Sequence, residues 1–252
     1  MSFLNKVVLI TGASSGIGAA AAVEFAKVGA KVAIVGRNVE KLHKVSELCI
    51  KNGSKPLVIN ADLGNDEECK KIIDLVIKEF GKLDVLVNNA GFLHYGSILE
   101  GNILEGYDKT MRINVRAHVH MTSLAAPYLV KSKGNIINIS SVAATSTTSL
   151  KGRTPYFVSK AALNHFTRCC AKELASDGVR VNTISPGPVK TDFFDNSGLD
   201  DIDIDSFAGM MPLKRVSESV EVADMIIFLA SDRAVGITGS EFVVDNGYLL
   251  RV

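Results

Sequence analysis

The sequence predicts an α/β fold in which about seven parallel strands form one sheet with helices on both faces. Short runs rich in apolar and β-branched residues alternate with helical stretches along the whole chain, and this alternation is typical of parallel sheets. A glycine-rich turn directly follows the first apolar run. The 252 residues, 47% of them hydrophobic, can bury one substantial core. The simplest expectation is one domain, residues 1–252.

Each predicted strand is a short run bounded by turn residues or by a helical stretch. Because ligands of such sheets bind beyond the carboxyl ends of the strands, residues just after each run are candidates for a site. The strands are expected at residues 7–10, 31–35, 56–60, 85–88, 135–140, 180–184 and 242–244.

The turn after the first strand has the spacing Gly-x-x-x-Gly-x-Gly at Gly12, Gly16 and Gly18, and the helix that follows is expected over residues 16–29. Glycines let a backbone approach a ligand closely, and a helix N-terminus attracts a pyrophosphate. The turn could also be purely structural. Its place after the first strand favours phosphate binding and a Rossmann-type, doubly wound sheet.

Tyr156 precedes Lys160 by four residues, so on a helix the two side chains share one face. A free phenol has a pKa of about 10, and a nearby cation lowers that value. The pair therefore predicts a general acid and base that works near neutral pH. An ordinary surface pair on a helix is the alternative.

Several motifs occur in a fixed order: Thr11 to Gly18, Asn88-Asn89-Ala90-Gly91, Asn114, Ser141, Tyr156 and Lys160. As a set they resemble the short-chain dehydrogenase/reductase family, and the likeness extends over essentially the whole chain. Its overall character is similar to 3-oxoacyl carrier-protein reductases and broad carbonyl reductases.

The resemblance implies four catalytic residues. Ser141 would hold the substrate oxygen and Tyr156 would exchange the proton. Lys160 would lower the phenol pKa and bind the nicotinamide ribose, and Asn114 would position a water in a proton relay. Ser140 could be confused with Ser141, but the family serine stands directly before a Val-x-Gly-like step, here Val142 to Ala144.

The resemblance also implies the residues that contact the cofactor. Asp62 and Leu63 match an adenine-contacting pair, although Asp62 could instead cap the following helix. The expected contacts are Gly12, Ser14, Ser15, Gly16, Ile17, Gly18, Arg37, Asn38, Asp62, Leu63, Asn89, Ala90, Gly91, Tyr156, Lys160, Pro186, Gly187, Val189 and Thr191.

The end of the second strand predicts the cofactor type. An acid at this point would bind the ribose hydroxyls of NAD, but the sequence has Arg37. Its guanidinium suits a 2′-phosphate, so we expect NADP(H) in preference to NAD(H). The alternative is that Arg37 is merely a solvated residue at a helix start. Some NADP-preferring relatives also have a basic residue in the glycine-rich turn, where this sequence has Ser14 and Ser15, and this difference weakens the expected preference for NADP(H).

Residues 193–215 are too polar for a core and too long for a turn, and the resemblance implies a lid over the substrate, with a surface loop as the alternative. Apolar candidates for the pocket are Phe157, Phe193, Phe194, Met210 and Met211, with His94 and Tyr95 at its mouth.

Ala144 replaces the usual glycine, and the interval from Ser141 to Tyr156 is about two residues longer than is common in relatives. Residues 145–154 should therefore form an unusual wall.

Composition argues against several other functions. The net charge is +1, which does not favour nucleic acid, and no run reaches the roughly 20 apolar residues that span a bilayer. We expect a cytoplasmic protein without a membrane anchor. Cys49, Cys69, Cys169 and Cys170 lack Cys-x-x-Cys spacing and should be reduced and mostly buried. His118 and His120 point to different helix faces, and no metal site is expected.

The sequence therefore predicts an NADP(H)-dependent oxidoreductase that interconverts a carbonyl and a secondary alcohol. Reduction of an apolar ketone, aldehyde, steroid or 3-oxoacyl-type compound is the expected direction. An NAD-dependent epimerase, which normally has a larger C-terminal substrate domain, and a regulator that senses the cofactor are the alternatives. The resemblance implies a homotetramer or homodimer built on helices around residues 103–130 and 154–176. Leu124, Ala125, Tyr128 and Phe166 could form its apolar patch.

Overall fold

The structure, a computed structural model, describes residues 2–147, 151–197 and 203–250. Within these residues one parallel sheet has the strand order β3-β2-β1-β4-β5-β6-β7. The expected α/β fold with seven parallel strands is confirmed, and each strand lies within two residues of its predicted bounds. The strands are β1 Val7–Thr11, β2 Lys31–Gly36, β3 Leu57–Asn60, β4 Val85–Asn88, β5 Asn135–Ile139, β6 Arg180–Pro186 and β7 Glu241–Val244.

Helices cover both faces of the sheet because successive strand residues point to opposite sides. In β1, Val8 and Ile10 join one core cluster, whereas Val7 and Leu9 join the other. Helices α1, α2 and α7 pack on the first face, and α3, α5 and α6 on the second. The helices are α1 Gly16–Lys27, α2 Val39–Asn52, α3 Asp66–Phe80, α4 Ile103–Met111, α5 His118–Ser132, α6 Thr154–Leu174 and α7 Ser219–Ala230.

The helical segment expected around residues 103–130 is not one regular helix. A π-helical segment, Arg112–Ala117, separates α4 from α5, and it contains the buried Asn114. Hydrophobic periodicity does not reveal such a segment because one wide turn changes the pattern by a single residue. In the described part of the chain, no helix combines the length and apolar character needed to cross a membrane.

The turn after β1 and the turn after β4 are hydrogen-bonded to each other. The Thr11 hydroxyl accepts bonds from the backbone N–H groups of Asn89 (3.0 Å) and Ala90 (3.2 Å). In return, the Asn89 side chain donates to the backbone oxygens of Thr11 (2.9 Å) and Gly12 (3.0 Å). Since β1 and β4 are neighbours at the point where the strand order reverses, these bonds define the place where a ligand cleft is expected.

A buried polar network joins the centre of the sheet to α6. The Asn138 amide donates to the Thr167 hydroxyl (2.8 Å) and accepts from the Asn88 amide (2.9 Å). The Thr183 hydroxyl donates to the same Thr167 oxygen at 2.7 Å. All four side chains are almost fully buried, so each hydrogen bond replaces one that water would otherwise provide.

We expect Asn138→Ala to lower the free energy of unfolding by about 2–4 kcal/mol, because it leaves a cavity and unpaired buried partners. Asn65→Ala is the matched control, since Asn65 is an exposed N-cap that accepts bonds from Glu67 and Glu68 of α3. Loss of a cap costs about 1 kcal/mol. Urea denaturation of both variants measures the difference, and equal losses would contradict the importance of the network.

Candidate active site

A cavity of about 740 Å³ opens beyond the carboxyl ends of the strands. Residues that follow β1, β2, β3, β4, β5 and β6 all contribute to its walls. Gly18 and Asn114 are the expected site residues that do not line it. Those that do are Gly12, Ser14, Ser15, Gly16, Ile17, Arg37, Asn38, Asp62, Leu63, Asn89, Ala90, Gly91, Ser141, Tyr156, Lys160, Pro186, Gly187, Val189 and Thr191.

The glycine-rich turn is shaped by close contacts of its backbone. Gly12 has a φ of +63°, and a Cβ there would lie 2.7 Å from the Ala90 Cα. A Cβ on Gly18 would lie 2.5 Å from the Asn89 amide nitrogen. Gly18 is therefore needed for packing behind the cavity, while Gly12 brings the backbone to its surface.

The start of α1 has the properties of an anion-binding helix end. The N-cap residue Ser15 makes no side-chain bond to the helix, and the first turn contains no acidic residue. Ser15, Gly16 and Ile17 line the cavity. The first backbone N–H groups and the positive end of the helix dipole are thus placed to bind a phosphate group.

Arg37 lies exposed at the rim, directly after β2. The Asn60 amide donates to the Arg37 backbone oxygen at 2.9 Å, and Asn38 caps α2 by accepting from the Lys41 N–H. Lys41 also lines the cavity and forms an ion pair with Asp192 at 2.5 Å. Sequence reasoning missed Lys41, although it follows Arg37 by only four residues.

Asp62 does not cap α3. Asn65 is the N-cap and accepts hydrogen bonds from Glu67 and Glu68. The Asp62 carboxylate instead accepts from the Gly64 N–H at 2.9 Å, within its own turn. The alternative that assigned Asp62 to the helix start is therefore wrong, and the residue lies at the cavity wall.

Ser141, Tyr156 and Lys160 meet on one side of the cavity. The Ser141 and Tyr156 hydroxyls are hydrogen-bonded, and the Lys160 ammonium lies 5.6 Å from the centre of the Tyr156 ring. Lys160 is almost fully buried and donates to the Ile139 backbone oxygen at 2.9 Å. This bond fixes the lysine between the end of β5 and the phenol ring.

The structure distinguishes Ser141 from its neighbour Ser140. Ser140 is buried, and its hydroxyl donates to the Lys160 backbone oxygen at 3.2 Å. Ser141 lies at the start of a short 3₁₀ turn, Val142–Ala144, and its oxygen accepts from the Ala143 N–H at 3.1 Å. Of the two, Ser141 is the hydroxyl beside Tyr156.

Burial raises the pKa of Tyr156 to about 12, an effect that is opposed first by the Ser141 hydroxyl and then by the positive charge of Arg153. Burial lowers the pKa of Lys160 to about 7. From the sequence we expected Lys160 to lower the phenol pKa, but here the cation that does so is Arg153. Sequence reasoning missed Arg153, which precedes Tyr156 by three residues and therefore by about one helical turn.

Asn114 uses its amide to hold neighbouring elements together. Its oxygen accepts from the Phe92 N–H at 2.9 Å, and its nitrogen donates to the Phe92 oxygen at 2.9 Å and to the Ser159 hydroxyl at 3.0 Å. A Cβ on Gly91 would lie within about 3.6 Å of both the Asn114 oxygen and the Lys160 nitrogen. Asn114 therefore lies directly behind the cavity floor.

Aromatic residues form the substrate side of the cavity. Phe157, Phe193, Phe194 and Phe207 line it. Met210 and Met211 do not line it, because Met210 is 46% exposed on the outer surface and Met211 is buried in the protein. Their expected place at the pocket is wrong, since the 3₁₀ turn Ile204–Met210 directs Phe207 inward instead.

His94 and Tyr95 also lie outside the cavity wall. A Cβ on Gly152 would overlap the Tyr95 ring, and the Tyr95 hydroxyl donates to Glu100 at 2.9 Å. The Tyr95 ring therefore packs against Gly152, just before α6, and not against the cavity. Phe92 and Leu93 line the cavity in this region.

The segment expected as a lid, residues 193–215, is attached to the loop after β4. The Leu93 N–H donates to the Ser197 hydroxyl at 3.2 Å, and that hydroxyl donates to the Phe193 oxygen at 2.8 Å. Residues 198–202 of this segment lie outside the described residues. Residues 148–150 of the expected wall at 145–154 also lie outside them.

The cysteines are free thiols. Cys49, Cys69 and Cys170 are buried, and Cys169 is exposed. Burial raises the pKa of each buried thiol to about 11. Among residues 2–147, 151–197 and 203–250, no group of three His, Cys, Asp or Glu side chains is placed to hold a metal ion.

His118 lies fully buried behind Ala90. Its Nε2 donates to the Ala90 backbone oxygen at 2.7 Å, so the other ring nitrogen carries no proton in the neutral form. Burial, and then the positive charge of Lys160, lower the pKa of His118 to about 3. The two buried bases therefore disfavour each other's charged form.

Comparison with known proteins gives consistent matches over nearly the whole chain. A family model described as enoyl-(acyl carrier protein) reductase matches residues 12–249. An uncharacterized oxidoreductase of Thermotoga maritima is 38% identical, and the alignment covers 98% of each chain. The 3-oxoacyl-[acyl-carrier-protein] reductase FabG of the same organism is 34% identical over 99% of this chain and 100% of its own.

A solved structure shares both sequence and fold with this chain. A short-chain dehydrogenase from Burkholderia cenocepacia J2315 in complex with NADP is 32% identical, with a TM-score of 0.90. The alignment covers 99% of this chain and 100% of that chain. At this identity and coverage, the shared ancestry of the two sequences accounts for the shared fold.

Protonation of His118 should destabilise the protein at acidic pH. The folded-state pKa of about 3 lies below the unfolded value of about 6.5, so the unfolded state binds more protons between these limits. Stability should therefore fall as pH drops below about 6.5, approaching about 1.4 kcal/mol per pH unit, until the loss is complete below the folded-state pKa. Urea denaturation between pH 6.5 and 4.5 measures this slope.

His118→Gln should reduce that slope, even if the variant is less stable at every pH. His43→Gln is the matched control, because His43 is exposed on α2 and its removal should leave the slope unchanged. Lys160, with a pKa of about 7, affects the stability at higher pH. Identical slopes for wild type and His118→Gln would contradict the assignment to His118.

Proposed function

The chain belongs to the short-chain dehydrogenase/reductase family, and we propose that it is an NADP(H)-dependent enzyme with Tyr156 as its general acid and base. Membership makes it an oxidoreductase that acts on carbonyl and alcohol groups. The cofactor preference, the roles of individual residues and the kind of substrate are our proposals.

One observation carries the proposed mechanism: the Tyr156 phenol, hydrogen-bonded to Ser141, lies beside the buried Lys160 at the wall of a large cavity. A hydride added to a carbonyl carbon must be matched by a proton added to its oxygen. A phenol, a second hydroxyl and a cation are the groups this step needs.

In this mechanism the Ser141 hydroxyl donates to the substrate oxygen and orients the carbonyl. Tyr156 then gives its proton to that oxygen during reduction and takes it back during oxidation. The pKa of Tyr156, raised to about 12 by burial, keeps the phenol protonated at neutral pH, which is the form that gives its proton during reduction. The positive charge of Arg153 favours the phenolate that remains. Lys160 is held beside the Tyr156 ring by its bond to the Ile139 oxygen, and Asn114 holds Phe92 and Ser159 in place.

The residues of the cavity fit a dinucleotide cofactor. The Gly12 backbone lies at the cavity wall, and the start of α1 offers backbone N–H groups to phosphates. When bound, the nicotinamide supplies the hydride for reduction or accepts it for oxidation. The nicotinamide amide would be held by the part of the wall at and just after the end of β6, which consists of Pro186, Gly187, Val189 and Thr191.

Two cations support a preference for NADP(H). Arg37 is exposed at the rim, and Lys41 lies near it on the first turn of α2. A 2′-phosphate would interact with Arg37 and would compete with Asp192 for Lys41. The similar Burkholderia protein was solved in complex with NADP, which adds independent support.

The substrate is a carbonyl compound with an apolar part. Phe157, Phe193, Phe194 and Phe207 provide the apolar surface of the cavity. A 3-oxoacyl-type compound is one candidate, because the chain is 34% identical to FabG of Thermotoga maritima. An apolar ketone, aldehyde or steroid would use the same surface.

We further propose one domain over residues 1–252, with residues 193–215 as a substrate lid, acting in the cytoplasm as a homotetramer or homodimer. Ala125 cannot belong to the contact surface because it is fully buried. Leu124, Tyr128 and Phe166 are partly buried and pack against the core. The more exposed apolar side chains on these helices are Leu104, Tyr107, Val119 and Val158.

Tyr156→Phe should lower kcat for carbonyl reduction by about 10²- to 10⁴-fold, because it removes the proton donor. NADPH binding should remain, since the backbone and ring are kept. Tyr107→Phe is the matched control, because Tyr107 does not line the cavity. Absorbance of the nicotinamide band measures turnover, and an active Tyr156→Phe enzyme would rule out the mechanism.

Arg37→Glu should weaken NADPH binding by about 10- to 100-fold, since it replaces a charge-assisted bond to the 2′-phosphate with repulsion. NADH binding should change less. Lys44→Glu makes the same charge change at an exposed position of α2 that does not line the cavity. Titration of nicotinamide fluorescence gives both dissociation constants, and equal effects on NADPH and NADH would show that Arg37 does not select the cofactor.

A further inference from the structure

Arg153 occupies the substrate side of the cavity, one helical turn before Tyr156. It is the residue at the start of α6, it is partly buried, and it lines the cavity. Its guanidinium carbon lies 5.6 Å from the centre of the Phe194 ring. Its positive charge acts on the Tyr156 phenol, so the guanidinium is close to the reacting groups.

No carboxylate in residues 2–147, 151–197 and 203–250 forms an ion pair with this guanidinium. Arg116 and Arg215, by contrast, form two-pronged pairs with Asp66 and Glu221. Arg180 donates to backbone oxygens, including that of Leu229 at 2.8 Å. Arg153 differs from these three in facing a cavity large enough for a ligand.

Burial lowers the pKa of Arg153, yet a guanidinium remains charged at any physiological pH. A partly buried charge loses hydration, and this loss is compensated only by a partner of opposite charge or by good acceptors. The π face of Phe194 supplies a weak attraction. An anion in the cavity would supply a much stronger one.

The surfaces around Arg153 are aromatic. Tyr156 and Phe193 have ring centres 5.5 Å apart, and Phe193 and Phe194 lie 5.6 Å apart. Phe194 and Phe207 are stacked with an interplanar angle of 16°. We define Phe193, Phe194 and Phe207 as the aromatic wall. Because it offers few hydrogen-bond acceptors, it leaves the guanidinium fork available to a ligand while it packs against apolar atoms.

We propose that Arg153 determines substrate specificity by binding an anionic group, a carboxylate, of the carbonyl compound that the enzyme reduces. The inference rests on the proposed function, since it names the substrate class of the same site. Side chains one turn apart have Cβ atoms about 5–6 Å apart, so the carboxylate should lie only a few bonds from the carbonyl. The aromatic wall would hold the apolar remainder of such an oxo acid.

The cofactor is not the source of this anion in our scheme. The phosphates are expected at the start of α1 and at Arg37, whereas the Arg153 guanidinium lies over the Phe194 ring on the substrate side of the cavity. Removing its charge should therefore leave the NADPH dissociation constant unchanged. This expectation separates a substrate anchor from a residue that binds the cofactor.

The test compares aromatic 3-oxo acids with their methyl esters, using NADPH and four proteins: wild type, Arg153→Met, Arg153→Lys and Arg233→Met. Arg233 is exposed and does not line the cavity, so its variant is the matched control. Wild type should prefer the acid. Arg153→Met should raise KM for the acid by about 10- to 100-fold and leave KM for the ester nearly unchanged. Because Arg153 also acts on the Tyr156 phenol, any change in kcat should be the same for acid and ester. Arg153→Lys should retain part of the preference.

Calorimetry provides a readout that does not require turnover. The reduced 3-hydroxy acid is titrated into the NADPH-loaded proteins, and binding should be clear for wild type and Arg233→Met and lost for Arg153→Met. The Arg153 side chain makes no hydrogen bond that caps α6, so the variant should fold, and circular dichroism checks this.

The outcomes separate the two proposals. Reduction of acid and ester with the same preference in wild type and Arg153→Met would overturn the role of Arg153 but keep the enzyme activity. If no carbonyl is reduced, the proposed function fails. Calorimetry then still decides the anion site, because binding lost only in Arg153→Met supports it and absence of binding to wild type overturns it.

Discussion

The site depends on the hydrogen bonds between the turns after β1 and β4. Thr11 and Asn89 exchange side-chain and backbone bonds at this point, where neighbouring strands lead to crossovers on opposite sides of the sheet. The bonds satisfy backbone groups that the ends of two parallel strands would otherwise leave unpaired. They also fix the position of Gly12 relative to Ala90. The same hydrogen bonds therefore position both the phosphate side and the catalytic side of the cavity.

Three buried or partly buried bases lie at or behind this cavity: Arg153 and Lys160 line it, and His118 lies behind Ala90. Each is perturbed first by loss of hydration, as the lowered pKa of each shows. The cost of burying a charge is reduced in a different way for each base. His118 can be neutral, Lys160 donates to a backbone oxygen, and Arg153 faces open space. Strongly perturbed bases of this kind are concentrated at functional sites. At Arg153 and Lys160, which line the cavity, a ligand that restores the missing interactions would recover part of the free energy lost on burial.

The sheet was predictable from the sequence because each buried strand is a short apolar run with turn residues beside it. The residues after these runs were predictable as cavity residues for the same reason, since parallel strands bring their carboxyl ends to one edge. The π-helical segment at Arg112–Ala117 was not, because a single wide turn leaves no periodic signal. The places of Met210 and Met211 also depend on how one 3₁₀ turn is oriented, which composition does not encode. Arg153 could have been identified by the spacing argument that identified Lys160, because it precedes Tyr156 by about one helical turn.

The π-helical segment has a consequence for how this region tolerates insertions and deletions. A π turn contains one residue more than an α turn, so deleting one residue from Arg112–Ala117 would convert it into regular helix. Each residue of an α-helix turns the next by about 100°. The deletion would thus rotate α5 relative to α4 and carry His118 away from Ala90 while Asn114 left Phe92 and Ser159. The spacing of this segment is therefore a constraint on sequence length that no single substitution could reveal.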